Sequence, residues 1–168
     1  MKKFCFLLTC ALTPVMIAGC TNTTPLTGGA NSLQEIKDAL AHALTNTDEK
    51  KFAEFFVTKT EYVTAIHSLL PEKKDDPAMI FNVFIEPHRV AISSRRFKLL
   101  KTYTGIWDVK IGEPKRTEKH GNVTLYFELP LTYKYRKDGK IETYIDNHFI
   151  GIVVEKKGKF KLLNCFRE

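Results

Sequence analysis

The feature that most constrains the fold is a run of alternating side chains between Val123 and Tyr135. Apolar or aromatic residues occupy every second position of this run, and mostly polar residues fill the positions between them. A period of two is typical of a long β-strand with one buried and one exposed face. The run also contains Pro130, which has no N–H to donate, so we expect one neighbouring strand to end there. The chain is therefore predicted to fold around an antiparallel sheet.

Three further segments complete the predicted sheet. Residues 107–111 alternate in the same way and predict a first strand, which a charged loop over residues 113–121 connects to the long one. The Asp138-Gly139 pair favours a two-residue hairpin, and Gly158 favours a three-residue turn before a last strand. Together they predict a four-stranded antiparallel meander.

The hairpin also predicts a register for the sheet. If Lys137 lies opposite Lys140, then Phe127 lies opposite Ile150, and the apolar runs of the two strands share one face. The first strand fits with Trp107 opposite Phe127. This register predicts that the apolar positions of the whole long strand point into a single core.

The chain before the strands has helical periodicity. Apolar residues from Leu33 to Leu44 form a stripe at helical spacing, and Ser32 begins a capping-box pattern with a glutamate three residues later. Thr58 begins a second box, and the Asp-Pro pair at residues 76–77 predicts the start of a long helix. We expect Pro87 to kink or split this helix, because proline removes a donor and collides with the preceding turn.

Helices that precede an antiparallel meander predict an α+β fold, with three to four amino-terminal helices packed on a curved four-stranded sheet. The carboxy-terminal half, from the long helix through Gly105 and the hairpins to residues 158–163, resembles the nuclear transport factor 2-like superfamily of cystatin-like cones. The resemblance implies a cone whose inner cavity holds a ligand or an acid–base pair. Members usually place a strand or short hairpin before the long helix, whereas residues 48–70 are predicted to be helical here.

The first residues of the chain predict export. Lys2 and Lys3 precede an apolar run that ends in small residues, which is the pattern of a secretory signal. Its last residues, Ile17-Ala18-Gly19-Cys20, resemble the signal of bacterial lipoproteins. That resemblance implies that Cys20 becomes a lipidated amino terminus, which anchors the protein to a membrane. Thr21, in place of an aspartate, implies the outer membrane of the cell envelope, with the protein facing the periplasm.

The domain organisation follows from these signals. Residues 1–19 are predicted to be the signal peptide, and residues 20–31, rich in Thr, Gly and Pro, to be the lipidated cysteine and a flexible tether. Residues 32–168 are predicted to form a single domain, since this length supports one hydrophobic core.

Cysteine usage and charge narrow the classes of function. Cys5 and Cys10 leave with the signal and Cys20 carries lipid, so Cys165 is left without a disulfide partner and is predicted to be a small buried or semi-buried residue. Loss of the two signal lysines lowers the basic count from 26 to 24 against 19 acidic residues, a net charge of +5. Nucleic acid is not expected as the partner of an exported protein. Anionic headgroups or an acidic protein are the candidates for this charge.

In the predicted register, a group of polar side chains shares the inner face of the sheet. Asp146 lies opposite Leu131 and His148 opposite Leu129. The candidate ligand-binding residues are Tyr133, Tyr144, Asp146, His148 and Asn164. The histidines show no metal-ligand spacing, and no glycine loop of the phosphate-binding kind is present, so neither a metal nor a cofactor is predicted.

Three functions are compatible with these features. The first is a non-enzymatic, membrane-anchored lipoprotein whose cone binds a small ligand or a partner protein. The second is a small-molecule lyase or isomerase that uses Asp146 and His148 as its acid and base. The third is a structural subunit of an envelope assembly, which it contacts through Tyr126, Glu128 and Thr132. Binding without catalysis is favoured, because no second carboxylate or oxyanion donor accompanies Asp146 and His148.

Overall fold

The computed structural model describes most of the predicted domain and a short segment before it. The described residues are 24–67, 76–91, 97 and 105–164. Six of them are described by their backbone alone: Phe84, His88, Val90, Ala91, His148 and Asn164. The predicted signal peptide, the predicted lipidation site Cys20 and the lone Cys165 lie outside the described residues.

The described helices precede the strands, as predicted. They are α1 (Leu33–Thr45), α2 (Glu49–Ala53), α3 (Lys59–Glu61), α4 (Pro77–Ile80) and α5 (Glu86–Ala91). The first π turn, Tyr62–Ile66, continues α3, and the second π turn, Phe81–Ile85, joins α4 to α5. Within the described ranges, no helix is both long enough and apolar enough to cross a membrane.

The predicted caps begin three of these helices. Ser32 Oγ accepts a hydrogen bond at 3.0 Å from the N–H three residues later. Thr58 and Glu61 form a reciprocal capping box, and the Asp76 carboxylate accepts from Ala78 N–H at 2.9 Å. These side chains satisfy N–H groups that have no partner within the first helical turn.

Pro87 lies inside α5 and does not break the helix. The turn before it is π-helical, and Glu86 N–H donates to the carbonyl of Phe81. A proline ring collides with the carbonyl four residues earlier, and a wider π turn moves that carbonyl away. Of the predicted kink or split, the split does not occur, and a local change of helix type accommodates Pro87.

The carboxy-terminal half of the described chain forms a curled antiparallel sheet, so the fold is α+β, as predicted. Its strands are β1 (Ile106–Ile111), β2 (Arg116–His120), β3 (Val123–Lys137), β4 (Lys140–Lys156) and β5 (Lys159–Asn164). The sheet has five strands instead of the predicted four, because the predicted loop over residues 113–121 contains β2. The β2 segment Arg-Thr-Glu-Lys-His has no apolar residue, so a hydrophobic pattern cannot reveal it.

One edge of β3 has two different neighbours, one on each side of Pro130. β1 pairs with the carboxy-terminal part of β3 and ends where Ile111 lies opposite Leu131. β2 pairs with the amino-terminal part and begins where Arg116 lies opposite Phe127. The prediction that a strand ends at Pro130 is confirmed, since ladder pairing stops on both sides of it.

β1 pairs with β3 as predicted, but the predicted register is wrong. Trp107 lies opposite Lys134 and not opposite Phe127. Gly112 N–H donates to the Pro130 carbonyl at 2.9 Å, which fixes the end of β1 at the proline. The prediction fails because it leaves no place for β2, which occupies the edge assigned to β1.

The β3–β4 hairpin keeps its predicted register only near the turn, where Leu131 lies opposite Asp146. Farther from the turn β4 contains a bulge, so Leu129 lies opposite Ile150 and not opposite His148. Every later pair is shifted by two residues relative to the prediction. A register shift of two residues gives each residue a new partner but keeps its side chain on the same face of the sheet. A shift of one residue would move the side chains to the opposite face.

The described residues form two core clusters, on the two faces of the sheet. The α1 cluster includes Ile36, Leu40, Phe52, Leu129, Leu131, Val153 and Leu162. The π-turn cluster includes Tyr62, Ile66, Phe81, Val123, Leu125, Val154 and Leu163. Val153 and Val154 are adjacent on β4 and belong to different clusters, so both faces of this part of the sheet are covered.

β3 changes from one cluster to the other at Glu128. Leu125 and the half-buried Phe127 pack in the π-turn cluster, while Leu129 and Leu131 pack in the α1 cluster. Glu128 has a φ of 56°, in the left-handed region, and such a residue interrupts the alternation of a strand. The prediction that all apolar positions of β3 point into one core is therefore wrong.

The described part of the predicted tether belongs to the folded domain. Leu26 and Ala30 are buried, and Ala30 exchanges two backbone hydrogen bonds with Phe160 of β5, at 3.1 and 2.9 Å. Gly29 approaches β5 so closely that a Cβ atom there would lie 2.5 Å from the Phe160 carbonyl oxygen. The prediction of a flexible tether extending to Asn31 is wrong for these residues. Gly29 adopts a positive φ and has no side chain, so the segment can pack closely against β5.

Candidate functional site

A cleft of about 250 Å³ lies between the first π turn and the sheet face that carries the π-turn cluster. Its lining residues are Tyr62, His67, Ile80, Arg116, Glu118, His120, Leu125, Phe127, Ile152 and Leu163. We call it the histidine cleft, after His67 and His120. A concave site with apolar walls and a few converging polar groups is the usual form of a small-molecule site.

The polar wall of the cleft comes from alternate residues of β2. Arg116 lies opposite Phe127 and Glu118 opposite Leu125, so their side chains share the face of the π-turn cluster. His120 is two residues further along the same face. The β2 pairing thus adds a row of polar side chains beside an apolar surface.

The Glu118 carboxylate contacts the two other side chains of this row. Arg116 Nη1 lies 3.2 Å from one of its oxygens, and His120 Nε2 lies 3.3 Å from the other. The Arg116 guanidinium also lies over the Phe127 ring, 4.2 Å from its centroid. These contacts hold the three side chains in defined positions at the rim of the apolar wall.

His67 lies across the cleft from this row, at the end of the first π turn. Its backbone N–H donates to the Tyr62 carbonyl, and its ring lies 5.8 Å from the Tyr62 ring. The side chain is only 8% exposed, and Nε2 is buried without a hydrogen bond to any residue that the structure describes. A buried polar atom without a partner costs about 1–3 kcal/mol. Among the described residues that line the cleft, His67 is therefore the one with a buried polar atom that has no hydrogen-bond partner.

A buried lysine supports the turn that carries His67. Lys156 Nζ donates to the Ala65 carbonyl at 2.8 Å, two residues before His67. Burial lowers the pKa of Lys156, and the charge of Lys157 lowers it further. The ammonium group thus donates a hydrogen bond to a carbonyl of the first π turn.

An ion pair fixes the amino-terminal end of the same helical segment. Glu61 and Lys161 are both buried, and Lys161 Nζ lies 2.9 Å from each oxygen of the Glu61 carboxylate. Thr27 and Thr58 also donate to this carboxylate, through backbone N–H groups at 2.7 and 2.8 Å and through their hydroxyls. Burial opposes ionisation of Glu61, but these hydrogen bonds outweigh it and lower its pKa to about 2. The network joins residue 27, α3 and β5 in one fixed arrangement.

A second cleft, of about 330 Å³, lies between the start of α3 and the second π turn. Arg89 and Glu86, two of its lining residues, form an ion pair with each other. No buried polar atom without a partner lines this cleft in the described part of the chain. It therefore lacks the feature that distinguishes the histidine cleft.

The structure brings three of the sequence-predicted site residues together, away from the histidine cleft. Tyr133 lies opposite Tyr144 with 5.0 Å between ring centroids, and Asp146 lies opposite Leu131, as predicted. Tyr133 is buried, whereas Tyr144 is 40% exposed. These residues form a surface near the hairpin turn instead of an enclosed cavity.

The other two predicted residues are placed by their backbone. His148 lies in the bulge of β4 and does not oppose Leu129. Asn164 lies opposite Ile152, a residue that lines the histidine cleft. Sequence reasoning therefore located one residue beside the cleft and did not locate the cleft itself.

Sequence reasoning missed the polar residues that line the histidine cleft. The histidines are scattered along the chain, and only the fold brings His67 and His120 to one site. The spacing of Arg116, Glu118 and His120 gave no signal, because Thr117 and Lys119 between them are polar as well and the segment shows no alternation. His67 has no signal either, because its burial follows from the packing of the first π turn.

The described residues include no group of three or more His, Cys, Asp or Glu side chains arranged to hold a metal ion. Comparisons of the chain with protein-family models, with curated proteins and with solved structures gave no match. The geometry of the cleft and the amino-terminal sequence are therefore the features that point to a function.

Proposed function

We propose that this protein is a lipid-anchored envelope protein whose domain binds a small ligand in the histidine cleft without converting it. The observation that carries the proposal is His67, which lines a cleft of about 250 Å³ and whose buried Nε2 has no partner among the described residues. A ligand that hydrogen-bonds this atom removes the cost of its burial.

The walls of the cleft define the class of ligand. Phe127, Leu125 and Ile152 provide an apolar surface, and Arg116 and His120 provide polar groups at its rim. The volume of about 250 Å³ lies just below the usual range for small-molecule sites, about 300–1,000 Å³. We infer a compact ligand with an apolar body and one hydrogen-bonding group that reaches His67.

The cone-like architecture is part of the proposal. Helices followed by a curled antiparallel sheet are compatible with the nuclear transport factor 2-like cone that the sequence resembles. In that superfamily the sheet and its covering helices enclose a ligand cavity. Here the histidine cleft takes the corresponding role between the first π turn and the sheet.

The envelope location and the lipid anchor depend on the segment that ends Ile17-Ala18-Gly19-Cys20. A thioether-linked diacylglyceryl group together with an acyl chain provides the two hydrophobic anchors that stable membrane attachment requires. Radioactive palmitate should label the wild-type protein and not the Cys20→Ala variant. Equal labelling of both proteins would contradict the anchor.

Binding is tested with a ligand screen by thermal shift on the chain from Thr21 onward. Hits should raise the melting temperature of the wild type and of His42→Ala, whose ring lies on an exposed face of α1. The same hits should have no effect on His67→Ala. Each hit is then incubated with the protein and assayed for consumption. Turnover that both Asp146→Asn and His148→Ala abolish would contradict binding without conversion.

The cost of His67 gives a test that needs no ligand. Replacement by leucine removes the buried polar atom and keeps an apolar side chain, so His67→Leu should raise the free energy of unfolding by about 1–2 kcal/mol while ligand binding is lost. Urea denaturation measures the change. A loss of stability in His67→Leu would show that the histidine serves the fold and not a ligand.

A further inference from the structure

The two ends of β4 differ in how their outer edge is covered. β5 pairs with β4 only between residues 152 and 156, and the outer edge of β5 is itself bonded to Ala30 and Val57. No residue that the structure describes pairs with the outer edge of residues 141–145. Ile141 and Ile145 on this stretch are 62% and 60% exposed. An exposed, apolar, unpaired strand edge is a template for pairing with another strand.

The hairpin turn determines which backbone groups this edge offers. Asp138 and Gly139 have φ values of 49° and 77°, and positive φ at both positions defines a type I′ turn. In such a hairpin the residues that flank the turn, Lys137 and Lys140, exchange both of their hydrogen bonds. Every second residue after Lys140 then also points its backbone groups toward β3. The N–H and C=O groups of Ile141, Thr143 and Ile145 therefore point outward.

We propose that two copies of this chain pair antiparallel along this edge, with the two-fold axis at Thr143. In this register Ile141 of one copy lies opposite Ile145 of the other, and Thr143 lies opposite itself. All three pairs use outward-pointing groups, so each can exchange two hydrogen bonds. Lys140 of one copy then lies opposite Asp146 of the other, which places opposite charges at both ends of the contact.

The neighbouring registers are disfavoured by charge. A two-fold axis at Glu142 places that carboxylate opposite its own copy. A two-fold axis at Tyr144 places Glu142 opposite Asp146, again two like charges. Like charges directly opposite each other destabilise a strand pair. Of these three registers, only the one with its axis at Thr143 places opposite charges together, and this self-complementarity favours a second copy over an unrelated strand as the occupant of the edge.

Cysteine cross-linking in intact cells tests both the contact and its register. The full-length chain carries Cys165→Ser, and single cysteines are introduced on the edge. Cα atoms of a hydrogen-bonded antiparallel pair are about 5.5 Å apart, which suits a disulfide. Thr143→Cys should therefore give a dimer on oxidation.

Ile141→Cys serves as the matched control on the same strand face. Its two copies would lie about 14 Å apart in the proposed register, since four residues separate position 141 from position 145. Ile141→Cys alone and Ile145→Cys alone should give no dimer, whereas cells that express both should give one. Dimers of Ile141→Cys alone that match those of Thr143→Cys would indicate random collision and overturn the proposal.

A charge on the edge provides the second test. Ile145→Lys should reduce cross-linking through Thr143→Cys at least tenfold, because it places a lysine opposite Ile141. Its melting temperature should stay within about 2 °C of the wild type, since Ile145 is largely exposed. Self-pairing would be refuted if Thr143→Cys gave no dimer in a chain that keeps Ile145. It would also be refuted if Thr143→Cys formed a disulfide with a different protein.

Discussion

The two ends of the β3–β4 hairpin are built for different purposes. Near residues 125 and 154, which we call the body, both faces of the sheet are covered and the edge of β5 is closed by backbone hydrogen bonds. We call residues 131–137 and 140–145 the arm. Here β4 is exposed, and no described residue pairs with its outer edge. One continuous pair of strands therefore stabilises the domain at one end and presents a surface at the other. The bulge of β4 and the positive φ of Glu128 lie between the two regions.

Charged residues show the same contrast. In the body, Glu61, Lys161 and Lys156 are buried, and each has hydrogen-bond partners. In the arm, Lys137 and Lys140 are exposed beside the turn. Burial of a charge is costly unless it is paired, so the body charges are expected to matter for folding and the arm charges for solubility and contacts.

The largest expected effect tests whether both faces of the body are needed. Val153 and Val154 are adjacent, fully buried and on opposite faces, so Val153→Asp and Val154→Asp should each cost about 5 kcal/mol or more. This is comparable to the whole stability of a typical domain. Tyr144→Asp and Ile145→Asp, the adjacent pair in the arm, should each cost about 1 kcal/mol or less.

Circular dichroism and urea denaturation measure the four variants under one condition. A folded Val153→Asp or Val154→Asp would show that one face of the body is dispensable. Equal losses in the body and arm pairs would remove the distinction between the two regions.

The buried ion pair gives the second largest effect. Glu61→Gln leaves the Lys161 ammonium buried without a counter-charge and should cost about 3–5 kcal/mol. Glu54→Gln is the matched control, because it removes the exposed pair between Lys51 and Glu54 and should cost no more than about 1 kcal/mol. A Glu61→Gln variant as stable as Glu54→Gln would mean that the network contributes little to the body.

The same pair predicts a dependence on pH. The pKa of Glu61 is lowered from 4.5 to about 2 by folding, so the ionised form is the one that the folded state favours. Its contribution is complete above pH 4.5 and is lost as pH falls toward 2, by on the order of 3 kcal/mol. The stability difference between wild type and Glu61→Gln should therefore shrink across this interval. A difference that stays constant from pH 5 to 2.5 would contradict the lowered pKa.

Several elements could be predicted from the sequence because their signals are local. The caps at Ser32 and Thr58, the Asp138-Gly139 turn and the stop at Pro130 each depend on the chemistry of a few adjacent residues. The alternation of β3 correctly predicted a long strand. It could not show that Glu128 would adopt a positive φ and divide the strand between two clusters.

The predictions that failed depend on contacts between distant segments. Tyr126 and Phe127 are both half-buried, Tyr126 against the α1 cluster and Phe127 against the π-turn cluster. Both faces of β3 are therefore partly covered there, and alternation in the sequence does not identify one face as exposed. β2 is specified by pairing with β3 and has no apolar residue to reveal it. The histidine cleft requires this pairing and the packing of the first π turn together, so its polar residues could not be grouped from the sequence.

The smallest expected effect concerns the closed edge of β5, where the body begins. Gly29 and Gly28 both have positive φ, at 79° and 69°, so alanine at either position carries a similar backbone penalty of about 1 kcal/mol. Only at Gly29 would the new Cβ also collide with the Phe160 carbonyl oxygen, at 2.5 Å. Gly29→Ala should therefore lose about 1–2 kcal/mol more than Gly28→Ala in urea denaturation, because the segment from Leu26 to Ala30 must move away from β5. If the two variants lose the same stability, this segment is not held on the edge of β5 in solution, and the contrast between a closed edge in the body and an open edge in the arm disappears.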